Sequence, residues 1–310
     1  MRCPFLREEQ VKSCRAAPFR KPFARSALRG RDERCSSPAH VSCPTARQSR
    51  EAHPAPARCP FLDESLVQFC AAAPVPTYVP WSESPELRCA NDGHRFCELY
   101  LAVAGSAGRG PAGGDSAIVD AAGVPMPDWL LYSRNHLWLD LADDGLVHLG
   151  ADAFVTRLVG VVERLDFLAV KGRVRPAVVL RVRGVDLTLA FVRPLQVLAA
   201  NTRLRSHPER LTDDPYGAGW LFEARLRETD RGEPIEAGLM RGEAARAWMA
   251  TEVRRAAELA HESVVPRSAL GPVLADGGGL ACDAVRHLER HEILRLFAEL
   301  FPTPDQGRPS

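Results

Sequence analysis

The residues of this 310-residue chain best suited to chemistry are its cysteines, which can bind metals as thiolates or form disulfides. Eight of the nine cysteines lie before residue 98. They form two sets with the spacings Cys-x10-Cys-x20-Cys-x7-Cys and Cys-x10-Cys-x18-Cys-x7-Cys. The sets are Cys3, Cys14, Cys35 and Cys43, then Cys59, Cys70, Cys89 and Cys97. In a reducing compartment such clustering indicates metal binding before disulfides.

The two sets belong to an internal repeat. Both copies open with Arg-Cys-Pro-Phe-Leu, at 2–6 and 58–62, and each has a histidine between its third and fourth cysteines, His40 and His94. A unit of roughly fifty residues usually needs a cross-link. Four thiolates could hold zinc or an iron–sulfur cluster, and disulfides or free thiols stay open as alternatives. We expect the four cysteines of each copy to converge on one point, with His40 and His94 as ligands or as hydrogen-bond donors to sulfur.

The composition argues against several function classes. A net charge of +1 gives no bulk field that would attract nucleic acid or an anionic membrane. No apolar run reaches the roughly 18 residues of a membrane span, and the first residues lack the apolar stretch of a signal peptide. We therefore expect a cytoplasmic protein that binds neither nucleic acid nor membrane and has an unknown protein partner. No nucleophile–base pair, P-loop or dinucleotide fingerprint is present, so we expect no enzyme active site.

The remaining chain predicts short strands followed by helices. Alternating apolar residues predict strands at 137–141 and 146–150, a hairpin at 178–190 with its turn at Gly184, and strands at 196–200 and 221–226. Helical periodicity predicts helices over 242–262 and 283–301. The fold class is α+β. We divide the chain into four-cysteine modules at 1–48 and 49–103, a Gly/Ala-rich flexible linker at 104–127, a small β-barrel or sandwich domain at 128–230, and a helical extension at 231–310.

Ordered motifs in the β domain resemble the H protein of the glycine cleavage system. They are Tyr132-Ser-Arg-Asn-His136-Leu-Trp138, Asp144-Gly145-Leu-Val-His-Leu-Gly150, Pro208-Glu-Arg-Leu211 with Asp214-Pro-Tyr-Gly-Ala-Gly-Trp-Leu221, and Leu239-Met240-Arg-Gly-Glu243-Ala244. The resemblance spans about 129–262. It implies a lipoyl-domain-like β-barrel-sandwich (single hybrid motif) and a carrier without catalytic activity of its own. The aromatic and glycine residues of these motifs are predicted to be core and turn residues.

The chain departs from the family at the residue that would carry the lipoyl group. Counting back from Asn201, which matches an asparagine of the family, places Gly184 where the family has its lipoyl lysine. The only lysines are Lys12, Lys21 and Lys171, so Lys171 is the alternative attachment site. Lipoate is therefore not expected as a cofactor.

Three functions follow from these residues. The favoured one is a non-catalytic, H-protein-like interaction or adaptor protein that is not lipoylated and has metal-binding cysteine modules. The alternatives are a working glycine cleavage system H protein that acts as a lipoyl (aminomethyl) carrier, and an iron–sulfur protein that transfers electrons or senses redox state.

Overall fold

The computed structural model describes residues 2–16, 23–24, 34–48, 58–75, 77–80, 87–104, 117–142, 145–226, 237–264 and 283–301. The chain divides into two compact units, Met1–His94 and Arg95–Ser310. The turn at 143–144, the linker stretch 105–116 and Cys282 lie outside the described residues. Within the described ranges, none of the helices has the length and apolar character needed to cross a bilayer.

The first unit is a four-stranded antiparallel sheet in the order β2-β1-β3-β4. Short 3-10 turns carry the third cysteine of each copy, at Arg34–Ser36 and Arg88–Ala90. The strands and helix are β1 (Leu6–Cys14), β2 (Phe23–Ala24), α1 (Pro44–Gln48), β3 (Leu62–Cys70) and β4 (Thr77–Val79).

The two copies of the repeat are joined across a local pseudo-twofold axis. Strands β1 and β3 hold the same place in the two copies and pair antiparallel, with Gln10 opposite its own equivalent, Leu66. Matching backbone hydrogen bonds close both ends of the ladder: Arg15 N–H donates to the Phe61 carbonyl and Ala71 N–H to the Phe5 carbonyl, each at 2.9 Å. The copies therefore share one sheet.

The second unit contains most of the helices and strands. They are α2 (Glu98–Ala104), β5 (Ile118–Ala121), β6 (Val124–Pro127), β7 (Leu131–Ser133), β8 (Leu137–Leu141), β9 (Leu146–Ala151), α3 (Ala153–Val159), β10 (Arg164–Phe167), β11 (Gly172–Val174), β12 (Ala177–Val182), β13 (Val185–Ala190), β14 (Leu195–Ala200), α4 (Glu209–Asp213), β15 (Trp220–Arg225), β16 (Leu239–Met240), α5 (Gly242–Val264) and α6 (Arg290–Leu300).

Two open sheets contribute to the core of this unit. One has seven strands in the order β11-β14-β15-β9-β8-β7-β16, and the other has three in the order β10-β12-β13. Apolar side chains of both sheets belong to a single buried cluster. Neither sheet closes on itself within the described residues, because β11 and β16 remain at the two edges of the larger sheet. The mixed α and β class is confirmed, and a closed barrel is not formed.

A hairpin occupies part of the stretch predicted to be linker. Strands β5 and β6 turn at Ala122 and Gly123, which both have positive φ, and the Asp120 carboxylate accepts the Gly123 N–H at 2.8 Å. Two tyrosine hydroxyls then fix β6, because Tyr132 donates to the Pro127 carbonyl and Tyr216 to the Pro125 carbonyl, each at 2.8 Å. The linker prediction is wrong for 118–127, where strand pairing and the hydroxyls of two tyrosines outside the hairpin hold the backbone.

The C-terminal helices differ in how well the sequence predicts them. Helix α5 follows the predicted periodicity and buries Ala245, Met249 and Val253. The helix predicted to begin at residue 283 instead begins at Arg290, because Glu289 is its N-cap and forms a reciprocal capping box with Glu292. Residues Ala284–His287 form a separate 3-10 turn.

Strands β8 and β9 are buried on both faces, apart from the half-buried Leu141 at the end of β8. Trp138 is fully buried, and its indole N–H donates to the Pro215 carbonyl at 3.1 Å. Its ring lies against Gly150 of β9, where an added Cβ would come within 2.4 Å of the indole ring. Only glycine fits this position without moving the tryptophan.

The substitution Gly150→Ala should lower the free energy of unfolding by about 1–3 kcal/mol, because the methyl group must displace a packed indole. Thermal unfolding followed by tryptophan fluorescence measures this effect. Gly184→Ala is the matched control: a Cβ there meets nothing within 4 Å, so only the positive φ opposes it, at about 1–2 kcal/mol. An indole emission spectrum unchanged in Gly150→Ala would contradict the packing argument.

Candidate functional site

The length of β1 separates the first two cysteines of the first copy. Cys3 precedes the nine-residue strand and Cys14 is its last residue. A strand rises about 3.3 Å per residue, so the ends of β1 lie roughly 25 Å apart. Strand β3 separates Cys59 from Cys70 in the same way. The expectation that the four cysteines of each copy converge is therefore wrong, because a strand occupies the segment between the first two.

The antiparallel pairing brings cysteines of different copies together instead. Cys59 donates its backbone N–H to the Cys35 carbonyl at 2.9 Å, and Leu62, just after Cys59, pairs with Cys14. The first cysteine of the second copy thus lies beside the second and third cysteines of the first copy.

Cysteines of different copies also lie together at the other end of the ladder. Cys3 donates its backbone N–H to the Cys89 carbonyl at 3.0 Å, and Leu6 pairs with Cys70. Cys97, the last cysteine of the repeat, belongs to the second compact unit.

The thiols around Cys35 are close enough to influence one another. Burial raises the pKa of the Cys35 thiol, and the neighbouring Cys59, Cys14 and Cys43 raise it further, while Arg34 lowers it. None of the eight cysteines in the described ranges forms a disulfide. Over the same ranges, no group of three or more His, Cys, Asp or Glu side chains is arranged to hold a metal ion as the chain stands.

The two repeated histidines occupy equivalent buried positions. His40 Nδ1 lies 2.7 Å from the Ser37 carbonyl, and His94 Nδ1 lies 2.7 Å from the Asn91 carbonyl. Because a carbonyl can only accept, each Nδ1 carries a proton in these contacts. The His40 carbonyl in turn accepts the Cys43 N–H at 2.9 Å. His40 therefore positions the turn that carries Cys43.

The hairpin of β12 and β13 presents Arg183 and Gly184 at its tip. Both residues have positive φ, as a tight two-residue hairpin turn requires. The Gly184 N–H donates to a carboxylate oxygen of Glu163 at 3.2 Å, and a Cβ built on Gly184 meets nothing within 4 Å. The tip is open to solvent and has no primary amine.

Lys171 lies toward the opposite end of this hairpin. Strand β10 pairs with β12 so that Arg164 is opposite Arg181 near the tip and Phe167 is opposite Val178 near the open end. The chain continues from Phe167 to the exposed Lys171, away from the tip. The hairpin fold therefore separates Lys171 from Gly184.

A buried histidine links the start of the β domain to two helices. His136 is fully buried, and its Nδ1 lies 3.0 Å from Oδ2 of Asp152. The other carboxylate oxygen of Asp152 caps α3 by accepting the N–H groups of Phe154 and Val155, each at 3.1 Å. His136 Nε2 lies 3.9 Å from a carboxylate oxygen of Glu252 on α5, which is an ionic contact and not a hydrogen bond.

About a third of the chain is similar in sequence to known H proteins. A glycine cleavage system H protein of Neisseria meningitidis serogroup A is 31% identical over 104 residues, which cover 32% of this chain and 80% of that protein. One from Psychrobacter sp. is 32% identical over 118 residues, which cover 36% of this chain and 90% of that protein. The chain belongs to the glycine cleavage system H protein family. The resemblance inferred from the motifs is confirmed.

A solved structure of the same family is also similar to this chain. The crystal structure of a glycine cleavage system H protein from Mycobacterium marinum has 21% sequence identity and a TM-score of 0.33, and the match covers 40% of this chain and 98% of that chain. No protein-family model matches the chain.

The residues of the H-protein motifs have structural roles in this chain. Trp138 and Tyr216 lie in the core contacts described above. Asn201 donates its side-chain N–H groups to the Ala218 carbonyl at 3.0 Å and the Trp220 carbonyl at 2.9 Å. Asn201 thereby ties the end of β14 to the closing motif of the family. The prediction that these motifs supply core and turn residues is confirmed.

The two acidic partners of His136 were not predicted from the sequence. Asp152 could have been found, since an aspartate directly before the apolar run at 153–155 is a helix N-cap signal. Glu252 has no such local signal, because its approach to His136 depends on how α5 packs. The buried contact between His148 Nε2 and a Glu223 carboxylate oxygen, at 3.2 Å, was also missed for lack of a local signal.

Folding stability should depend on the charge of His136. Burial by itself lowers the pKa of His136, but Asp152 and Glu252 together raise it above its ordinary value of 6.5. The resulting stabilisation is fully present below pH 6.5 and is lost as pH rises through the raised folded-state pKa. The free energy of unfolding, measured by denaturant titration at successive pH values, should fall over this range.

Two variants separate this charge effect from the helix cap. Asp152→Asn keeps an oxygen to cap α3 but removes the charge facing His136, so the pH dependence above 6.5 should weaken. Asp152→Ala removes both and should destabilise the fold by a further ~1 kcal/mol. The assignment fails if His136→Gln unfolds with the same pH dependence as the wild-type chain.

Proposed function

We propose that the second unit is an H-protein-like docking domain with a lipoyl-domain-like sandwich, without catalytic activity and without a lipoyl group. We propose further that the cysteines of the repeat bind metal, as zinc or iron–sulfur centres. The first proposal rests on the residues at the hairpin tip. Arg183 and Gly184 stand there, and neither can form the amide bond that attaches lipoate.

The chemistry of attachment supports this proposal. Lipoate is joined to a protein through an amide with a primary amine. An arginine guanidinium stays protonated and does not replace that amine. Lys171 has the amine, but it lies toward the open end of the hairpin and outside the turn.

A polar groove near the hairpin offers a surface for a protein partner. It has a volume of about 220 Å³ and is lined by Arg164, Asp166, Val179, Arg181 and Asp186. Arg181 binds Asp186 through two hydrogen bonds, of 2.8 and 3.0 Å. Because these charges are already paired, the groove suits a partner with mixed polar groups better than one of a single strong charge.

The alternative is a working lipoyl carrier of a glycine cleavage system. The names of the relatives favour it, since each is called a glycine cleavage system H protein. It requires that Lys171 accepts the lipoyl group, as the remaining lysines, Lys12 and Lys21, lie in the cysteine repeat.

Incubated with a lipoate ligase and lipoate, the wild-type chain should gain no mass, because the hairpin tip has no amine. The variant Gly184→Lys should gain one lipoyl group, since the position is open to solvent. Intact-mass and peptide mass spectrometry measure both results. Lys171→Arg is the control and should behave as wild type. A lipoyl group mapped to Lys171 in the wild-type chain would restore the carrier function.

A docking domain should compete for a partner without supporting turnover. In a reconstituted glycine cleavage assay from which the H protein is omitted, the chain should give no glycine-dependent product. Added in excess over a lipoylated H protein, it should reduce the rate by occupying the same protein surfaces. Turnover supported by the chain alone contradicts the proposal, and so does an unchanged rate at saturating excess.

A further inference from the structure

Cys14, Cys35 and Cys59 are brought together by the backbone of two different copies. The Cys59 N–H binds the Cys35 carbonyl, and the end of β1 places Cys14 opposite Leu62, whose N–H binds the Cys59 carbonyl at 3.1 Å. Cys43 follows Cys35 after one 3-10 segment, Pro38–Ser42. Every one of these contacts lies within the first compact unit.

We propose that Cys14, Cys35, Cys43 and Cys59 form a four-thiolate metal centre to which both copies of the repeat contribute. Three ligands come from the first copy and one from the second. The pseudo-twofold axis relates Cys59, Cys14 and Cys35 of this set to Cys3, Cys70 and Cys89, where the contributions of the copies are reversed. The metal therefore cross-links the two copies to each other and does not cross-link each copy internally.

The chemistry of the site suits a soft metal ion. Cys59 is 5% exposed, and Cys35, Cys14 and Cys43 are partly buried. On binding zinc, each of the four thiols releases its proton to solvent and forms one sulfur–zinc bond. No oxidation is involved.

Two cations near the site offset the charge of the loaded centre. Four thiolates and one divalent ion leave two negative charges. Arg34 is adjacent to Cys35 in the chain. Lys12 Nζ donates to the Ser36 hydroxyl at 2.9 Å, next to Cys35, and also lies 3.6 Å from a Glu64 carboxylate oxygen. In the second copy, Gln68 holds the place of Lys12, so the two sets of thiols differ in nearby charge.

The thiols must draw together when the ion binds. No group of three or more potential ligands in the described part of the chain has a metal-binding arrangement. Cys35 and Cys43 lie on or directly after short 3-10 segments and Cys14 ends a strand. The proposal requires these segments to shift until the sulfurs are roughly 3.5–4 Å apart, as in a tetrahedral site.

Pairs of cysteine substitutions test which cysteines share a centre. The full-length chain is saturated with zinc, freed of excess ion by gel filtration, and assayed for zinc per chain by elemental analysis. Wild type should bind about two ions, one for each set of thiols. Cys14→Ser/Cys59→Ser should lose only one, because both residues serve the same centre. Cys3→Ser/Cys14→Ser should lose both, although its residues belong to one copy.

If each copy instead held its own ion, Cys14→Ser/Cys59→Ser would lose both ions and Cys3→Ser/Cys14→Ser would lose only one. That result overturns the proposal. So does a wild-type chain that binds neither zinc nor iron. Cys282→Ser, outside the repeat, is the control and should keep both ions. Iron and sulfide are measured on anaerobically purified protein. Their presence, with the same loss pattern in the double variants, identifies the four-thiolate centre as an iron–sulfur cluster, and their absence identifies it as a zinc site.

Discussion

The antiparallel pairing of β1 with β3 governs the arrangement of the first unit. A nine-residue strand is too long for its ends to meet, so the cysteines at the two ends of each strand must find partners elsewhere. The pairing supplies those partners from the other copy. It also explains why the number of residues between the second and third cysteines can differ between copies, since the register of the ladder does not depend on that segment.

In the second unit, Asp152 links two parts of the fold. One carboxylate oxygen caps the first turn of α3 and the other faces the imidazole of His136, so a single side chain holds a helix terminus and a buried ring. Phe154, Trp248 and Phe301 surround that ring, with centroids 4.2, 4.8 and 5.4 Å away. Helix α5 and the C-terminal helix thus pack around a polar contact that they shield from water.

The parts of the fold that the sequence predicts are those set by local signals. Alternation and a glycine turn locate the β12–β13 hairpin and its tip, and periodicity locates α5. The β5–β6 hairpin was missed because hydroxyls of two residues outside it, Tyr132 and Tyr216, hold it, and Tyr216 lies 91 residues from its acceptor Pro125. The approach of cysteines from different copies was missed, because the spacing of the cysteines shows that the unit is repeated but does not show which strands pair. The open tip at Gly184 was found, because it depends on one residue at one turn.

The pseudo-twofold arrangement has a consequence for how such a repeat can exist. A chain with one copy has its first cysteine at the far end of its own strand, so it could form these cysteine contacts only by pairing symmetrically with a second molecule. Two copies in one polypeptide make that encounter intramolecular and independent of protein concentration. The first unit thus has the arrangement of a homodimer whose subunits have been covalently fused.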